Sequence, residues 1–238
     1  MGLSMLKADR ADRALHYFEE AQRFLMTCND ALSLASVHYA LGYWALDQQN
    51  EHLAIEHFEE SLNHSQNHNH LLQQSLMTRL ALARLTRLNG SLEQAERAFN
   101  RIHSDAIDAN LEVCSLEAKL GLGLCAWRKE DATEALAYFS EVRRSARGNL
   151  FILEFYASIG EAWSYARQQD WDQSQVALFQ AESLRLDVLY RDKELEELRL
   201  SIKSFAQHYN RLDLISQVER LSNLSLGGNT TYQTDIGR

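Results

Sequence analysis

Proline is missing from all 238 residues. Average usage of about 5% would place roughly a dozen in a chain of this size. The proline ring breaks the helical hydrogen-bond ladder, so its absence fits a chain that is almost entirely helix. Cysteine is scarce. Cys28, Cys114 and Cys125 are an odd set, each in an apolar helical stretch. Cys114 and Cys125 share roughly one helix face and stand too far apart to bridge within one helix. They read as reduced thiols of a cytosolic-type protein and not as a disulfide framework. No apolar run reaches about 18 residues, so no membrane span is expected. Met1-Gly2-Leu3-Ser4 has no basic segment ahead of an apolar one, so the start is not a signal peptide. Positive charge is also in deficit. The net charge is −9, which argues against a nucleic-acid-binding surface, although a local basic patch stays compatible with it.

Against these absences stands a 45% share of hydrophobic residues, enough for a sizeable core. Their arrangement is periodic. Phenylalanine stands at 18, 58, 99, 139 and 179. Ala14, Ala54, Ala95 and Ala135 precede four of these by one helical turn, and Gln175 precedes the fifth. Gly2, Gly42, Ala83, Gly123 and Trp163 lie a constant distance further upstream. Such a register points to stacked copies of one supersecondary unit. Helix pairs are expected near 31–48 with 51–65, 70–88 with 91–104, 110–128 with 131–146, 150–168 with 171–187, and 190–208 with 211–224. Ahead of them comes a second helix over 11–28, and before it a short first helix over 1–9. Asp30, Asp131 and Asp170 are placed to cap helix starts, and Asn89-Gly90-Ser91 reads as a C-cap followed by an N-cap. The last pair keeps the spacing but has Leu214 and Val218 in place of Ala and Phe, as terminal repeats often do. Residues 1–226 thus form one repeat domain, its first repeat cut short and its last degenerate. Residues 227–238 form a flexible tail. Gly2 occupies the place that Gly42 holds midway along a full helix. The chain is therefore expected to be a piece of a longer protein, the alternative being a degenerate first repeat.

Leu41-Gly42 with Ala54 and Phe58 resembles the tetratricopeptide repeat pattern. So do Leu82-Ala83 with Ala95 and Phe99, and Leu122-Gly123 with Ala135 and Phe139. The resemblance implies an all-α fold: a right-handed α-solenoid superhelix of antiparallel helix pairs. Three departures stand out. The repeat is about 40 residues and not about 34. The family's proline at the repeat end is absent. Trp163 and Gln175 occupy small-residue positions, so close packing of the fifth repeat is in doubt. Long repeats of this kind look like those of bacterial regulatory and signalling proteins.

The resemblance further implies a concave groove lined by the first helix of each pair. Its groove positions fall six and three residues before the small residue, and one, four and five after it. Repeat two then presents Ser36, Tyr39, Tyr43, Leu46 and Asp47, and repeat three Met77, Leu80, Arg84, Arg87 and Leu88. Repeat four presents Glu117, Leu120, Leu124, Trp127 and Arg128, and repeat five Ala157, Gly160, Ser164, Arg167 and Gln168. The second helices carry much of the acid, including Glu56, Glu59, Glu60, Glu93, Glu96 and Glu134. Tyr39, Tyr43, Arg84, Arg87, Trp127, Arg128 and Arg167 are therefore the candidate ligand-binding residues, since arginine and aromatic side chains make recognition hot spots. They suit a protein or peptide partner that carries carboxylates. The competing reading is that these arginines pair with nearby acids on an ordinary solvated face. The Lys/Asn set that grips a C-terminal carboxylate in chaperone-binding members of the family is not present at these positions.

Other motifs carry less. In the run His64, His68 and His70, the first two have the spacing that could share an ion on a helix, yet the segment reads better as a polar connection between repeats. Gly121-Leu122-Gly123-Leu124-Cys125-Ala126 matches G-x-G-x-x-A, but it lies inside a helix with no strand before it. The glycosylation acceptor pattern at Asn63, Asn223 and Asn229 has no secretion signal to give it meaning. No nucleophile has a base beside it in the local sequence. The expectation is a cytoplasmic, cofactor-free, non-enzymatic binding scaffold. The alternative is a regulatory ligand- or peptide-sensing module of a larger transcriptional or signalling protein. An apolar face left bare at the first helix would also allow a second copy to pack.

Overall fold

The computed structural model describes residues 11–28, 30–65, 71–184 and 193–226. The expected helix over 1–9, the tail 227–238, Asn29, His68 and His70 lie outside them. Every regular element among the described residues is helical. In order these are α1 (Ala11–Cys28), α2 (Ala31–Asp47), α3 (Glu51–Ser65), α4 (Leu72–Leu88), α5 (Leu92–Asp108), α6 (Glu112–Arg128), α7 (Ala132–Ala146), α8 (Phe151–Arg167), α9 (Trp171–Ser183), α10 (Lys193–His208) and α11 (Leu212–Leu226). Helices pack on their neighbours in sequence, which makes the fold an all-α solenoid of helical repeats. The helices fall into two compact units, divided between Ala118 and Lys119 within α6.

Local chemistry sets the helix boundaries. The Asp30 carboxylate accepts from Ser33 N at 3.1 Å, Asp131 from Thr133 N and Glu134 N, and Asp170 from Gln173 N, as their positions predict. Ser91 makes no side-chain cap bond. Each described turn from a first to a second helix passes through a left-handed residue: Gln49, Gly90, Glu130, Gln169 and Asn210. Only one of the five is glycine, so the closing hydrogen bonds of the helix end hold a strained conformation in the other four. Asn50 N to Ala45 O at 2.9 Å and Asp131 N to Ala126 O at 3.0 Å are two such bonds.

Each second helix buries one stripe. In α3 it is Ala54, Phe58, Ser61 and Ser65; in α5 Ala95, Phe99, Ile102 and Ala106; in α7 Ala135, Phe139, Val142 and Ala146. Phe58, Phe99 and Phe139 are fully buried. Sealing each ring from water contributes about 1.5–3 kcal/mol. The small residue opposite is sterically required. A Cβ added at Gly42 would lie 2.4 Å from Phe58 Cε1, and one at Gly123 would lie 2.8 Å from Phe139 Cε1. On its other side Phe139 meets Gly160 of the following helix, where a Cβ would lie 2.5 Å from the ring. A glycine inside a helix costs about 1 kcal/mol against alanine. Here that cost lets an aromatic ring sit between a helix pair and its successor.

The fifth repeat corrects the register read from sequence. Phe179 is 65% exposed, whereas Leu178 is fully buried with Ser174, Ala177 and Ala181. The wedge of this repeat is therefore Leu178, and the small residue facing it by the same spacing is Ala162, not Trp163. The cause lies upstream. The stretch from the start of α7 to the start of α8 is one residue shorter than that from α5 to α6. The left-handed turn residues Glu130 and Gln169 are correspondingly one residue closer than Gly90 and Glu130. The expected doubt about close packing here is removed. Trp163 is buried and donates from Nε1 to Ser201 Oγ of α10 at 3.1 Å. In the last repeat Leu214 and Val218 are buried in the places assigned to them.

The corrected register separates two neighbouring side chains. In urea unfolding, Leu178→Ala is expected to cost about 2–5 kcal/mol, and Phe179→Ala to stay within about 0.5 kcal/mol of the parent. The reverse ranking would restore the register read from sequence.

Candidate functional site

In the first unit, α2, α4 and α6 place side chains from three successive first helices together. The Tyr39 hydroxyl donates to the Tyr43 hydroxyl at 3.4 Å, and the two rings meet edge to face at 5.0 Å. Both rings lie against Phe58, with centroids 5.9 and 5.4 Å away, so the wedge that holds the stack also backs this surface. Burial, then the neighbouring Tyr43, raises the Tyr39 hydroxyl well above the usual phenol range, so it stays protonated at any physiological pH. Arg84 of α4 donates from Nη2 to Glu117 Oε2 of α6 at 2.9 Å. Both charges act on Tyr39. Cys114 lies on the same helix as Glu117. Burial pushes its thiol up, with Glu117 adding to the effect, so it is a poor nucleophile.

Arg87 departs from its expected place. It is 3% exposed, inside the packed layer and not on a surface. The same holds for the corresponding residues Trp127 and Ala166, at 7% and 1%. The fourth position after the small residue therefore faces inward in repeats three to five, while Leu46 of repeat two is half-buried, and the fifth position faces out. That fifth position holds Asp47, Leu88, Arg128 and Arg167, all exposed.

In the second unit, the Arg128 guanidinium stacks 4.5 Å above the Trp127 ring. Its Nη2 lies 2.6 Å from Glu197 Oε2 and 3.8 Å from Glu194 Oε1, both on α10. Arg167 of α8 lies 2.6 Å from Glu130 Oε2 and 4.8 Å over the Phe205 ring. Arg84, Arg128 and Arg167 thus all pair with acids of this chain. That is the competing reading of the arginine face, and it removes the idea of unpaired positive charge waiting for a ligand. A partner carboxylate must displace Glu117, Glu197 or Glu130 to reach a guanidinium.

The geometry offers aromatic surface and exchangeable ion pairs. Among the described residues no three His, Cys, Asp or Glu side chains converge to hold a metal. Sequence reasoning named Arg84 and Glu117 but missed their pairing. They occupy the first position after one small residue and the sixth before the next, so a rule for contacts between adjacent repeats would have found it. The partners on α10 gave no such signal, because that repeat lacks the signature residues.

No family model matches the chain, and no curated protein matches it. Solved structures do. BtubC (BKLC) from P. vanneervenii is 15% identical, with 98% of this chain and 95% of that chain covered, at a TM-score of 0.66. The apo form of RapI is 12% identical, with 93% of this chain and 71% of that chain covered, at a TM-score of 0.64. At these identities the likeness concerns the fold. No described helix is long and apolar enough to cross a membrane.

The ion pairs differ in how much stability they carry. Glu161 is 2% exposed and sits 2.5 Å from Arg143 Nε, whereas Glu130 is 71% exposed beside Arg167. Glu161→Ala strands the Arg143 charge near the core and is expected to cost about 2–4 kcal/mol. Glu130→Ala is expected to cost under about 1 kcal/mol. Equal losses in chemical denaturation would contradict this ranking.

Proposed function

We propose that the chain is a non-catalytic protein- or peptide-binding scaffold of the tetratricopeptide class, working in the cytoplasm, whose first-helix face in the first unit receives an extended segment with carboxylates. The observation that supports this reading is the meeting of Tyr39, Tyr43, Arg84 and Glu117, contributed by α2, α4 and α6. A partner that follows the stack meets aromatic surface first and then a guanidinium paired with Glu117. Exchange of Glu117 for an incoming carboxylate conserves the ion pair and discriminates against neutral segments. The recognition rests on mixed aromatic and charged contacts and not on net positive potential, which suits a chain of net charge −9. Arg128 on Trp127 and Arg167 on Phe205 give the second unit elements of the same kind. A sensing module of a larger transcriptional or signalling protein would use the same face and differ in what ligand binding does to the output.

Fluorescence anisotropy with synthetic peptides, acid-rich and neutral, tests the reading on the purified chain. Acid-rich peptides are expected to bind. Arg84→Glu should weaken them at least about tenfold, near the worth of one hydrogen-bonded charge. Glu117→Gln should strengthen them by removing the charged acid that competes for Arg84. Equal binding of both peptide classes, unchanged by either substitution, would remove the carboxylate preference. Absence of any binding would remove the peptide-binding reading itself.

A further inference from the structure

Three histidines that no earlier step uses meet where α1, α2 and α3 join. His38 of α2 is 5% exposed. Its Nδ1 lies 3.3 Å from Nδ1 of His57 on α3, and its ring stacks on His64 at 5.6 Å between centroids. Its Nε2 lies 3.3 Å from the Gln22 Nε2 of α1. His64 thus takes part in a junction within the repeat. Phe18 of α1 packs beside this contact on Ala40 and Leu41.

We propose that the His38–His57–His64 cluster is an acid-opened latch, which holds α1 and α3 on α2 at neutral pH and loosens them when it takes up protons. The contacts suit neutral rings. With Gln22 donating to His38 Nε2, the His38 proton sits on Nδ1 and is donated to His57 Nδ1. A second proton on His38 turns Nε2 into a donor that faces the Gln22 N–H. Protonating His57 as well sets two N–H groups head to head and two like charges 5.5 Å apart between ring centroids. The charges acting on His38 come from α3: His57, His64 and, in opposition, Glu60. From α1 it meets the neutral Gln22 amide. His57 faces Glu56 and Glu60, and Glu56 is held by His52 at 3.2 Å.

The sign follows from linkage. Burial, then His57 and His64, push the His38 imidazolium down to about 4 from its usual 6.5, and burial lowers His57 also. The opened state therefore binds protons more readily, and closure weakens as pH falls from about 6.5 towards about 4. It is fully present above that window.

Hydrogen exchange read by mass spectrometry on the intact chain, at pH 7.5 and pH 5.5 with intrinsic rates corrected, tests the latch. The His38 values favour opening about tenfold at the lower pH. Protection in α1 and α2 should fall by about that factor, while α5 in the same unit holds. His38→Gln should flatten the pH dependence. If that variant does not fold, His57→Gln, at a half-buried position, should reduce it. Equal protection of α1 and α2 at both pH values in the parent would overturn the proposal. So would the same acid-dependent loss in parent and variants.

Discussion

The central repeats depend on one contact: an aromatic ring wedged between helices that carry glycine or alanine where it presses. Phe139 shows it most fully, because its ring lies against Gly123 on one side and Gly160 on the other with no room for a methyl group. Dispersion and burial at such a site are large because the gap is filled. One helix pair cannot supply both walls, so neighbouring pairs stack. The contact also explains the absence of proline. A first helix buried on most sides, as α8 is, needs every backbone hydrogen bond it can make.

Beside this apolar layer stand ion pairs between different elements: Arg79 with Asp105, Arg84 with Glu117, Arg143 with Glu161, Arg167 with Glu130. Lys119 and Glu141 add another. Exposed pairs contribute little to stability. Their effect is on specificity, since Arg84, Arg128 and Arg167 already hold acids and an incoming partner competes with them. The proposed function is therefore one of exchange. The proposed latch works on different chemistry, in neutral imidazoles and a carboxamide, and so responds to protons while the arginine pairs do not.

The helix pairs were legible because the wedge is periodic and chemically distinct. Phe58, Phe99 and Phe139 announce themselves, as do the aspartate caps at Asp30, Asp131 and Asp170. Legibility failed where a second phenylalanine imitated the signal. Phe179 continued the even spacing, yet the stretch from the start of α7 to the start of α8 is one residue shorter than its counterpart and brings Leu178 inward, and a shift of one residue turns a helical side chain by about 100°. Arg87 was misplaced for a related reason. One groove position carried over from shorter repeats, the fourth after the small residue, does not hold in repeats three to five, where it turns into the core. The histidine junction was invisible because His38 lies on a different helix from His57 and His64, and only the packing of α2 on α3 joins them.

A double-mutant cycle on Gly123 and Phe139 tests the wedge most directly. Gly123→Ala alone combines a gain in helix propensity of about 1 kcal/mol with a clash of about 1–3 kcal/mol. In the Phe139→Leu background the propensity gain remains and the clash is relieved. The cycle cancels the propensity and predicts a coupling of about 1 kcal/mol or more, with the alanine tolerated better beside the smaller side chain. Additivity within about 0.3–0.5 kcal/mol would contradict the wedge as the contact on which the stack depends.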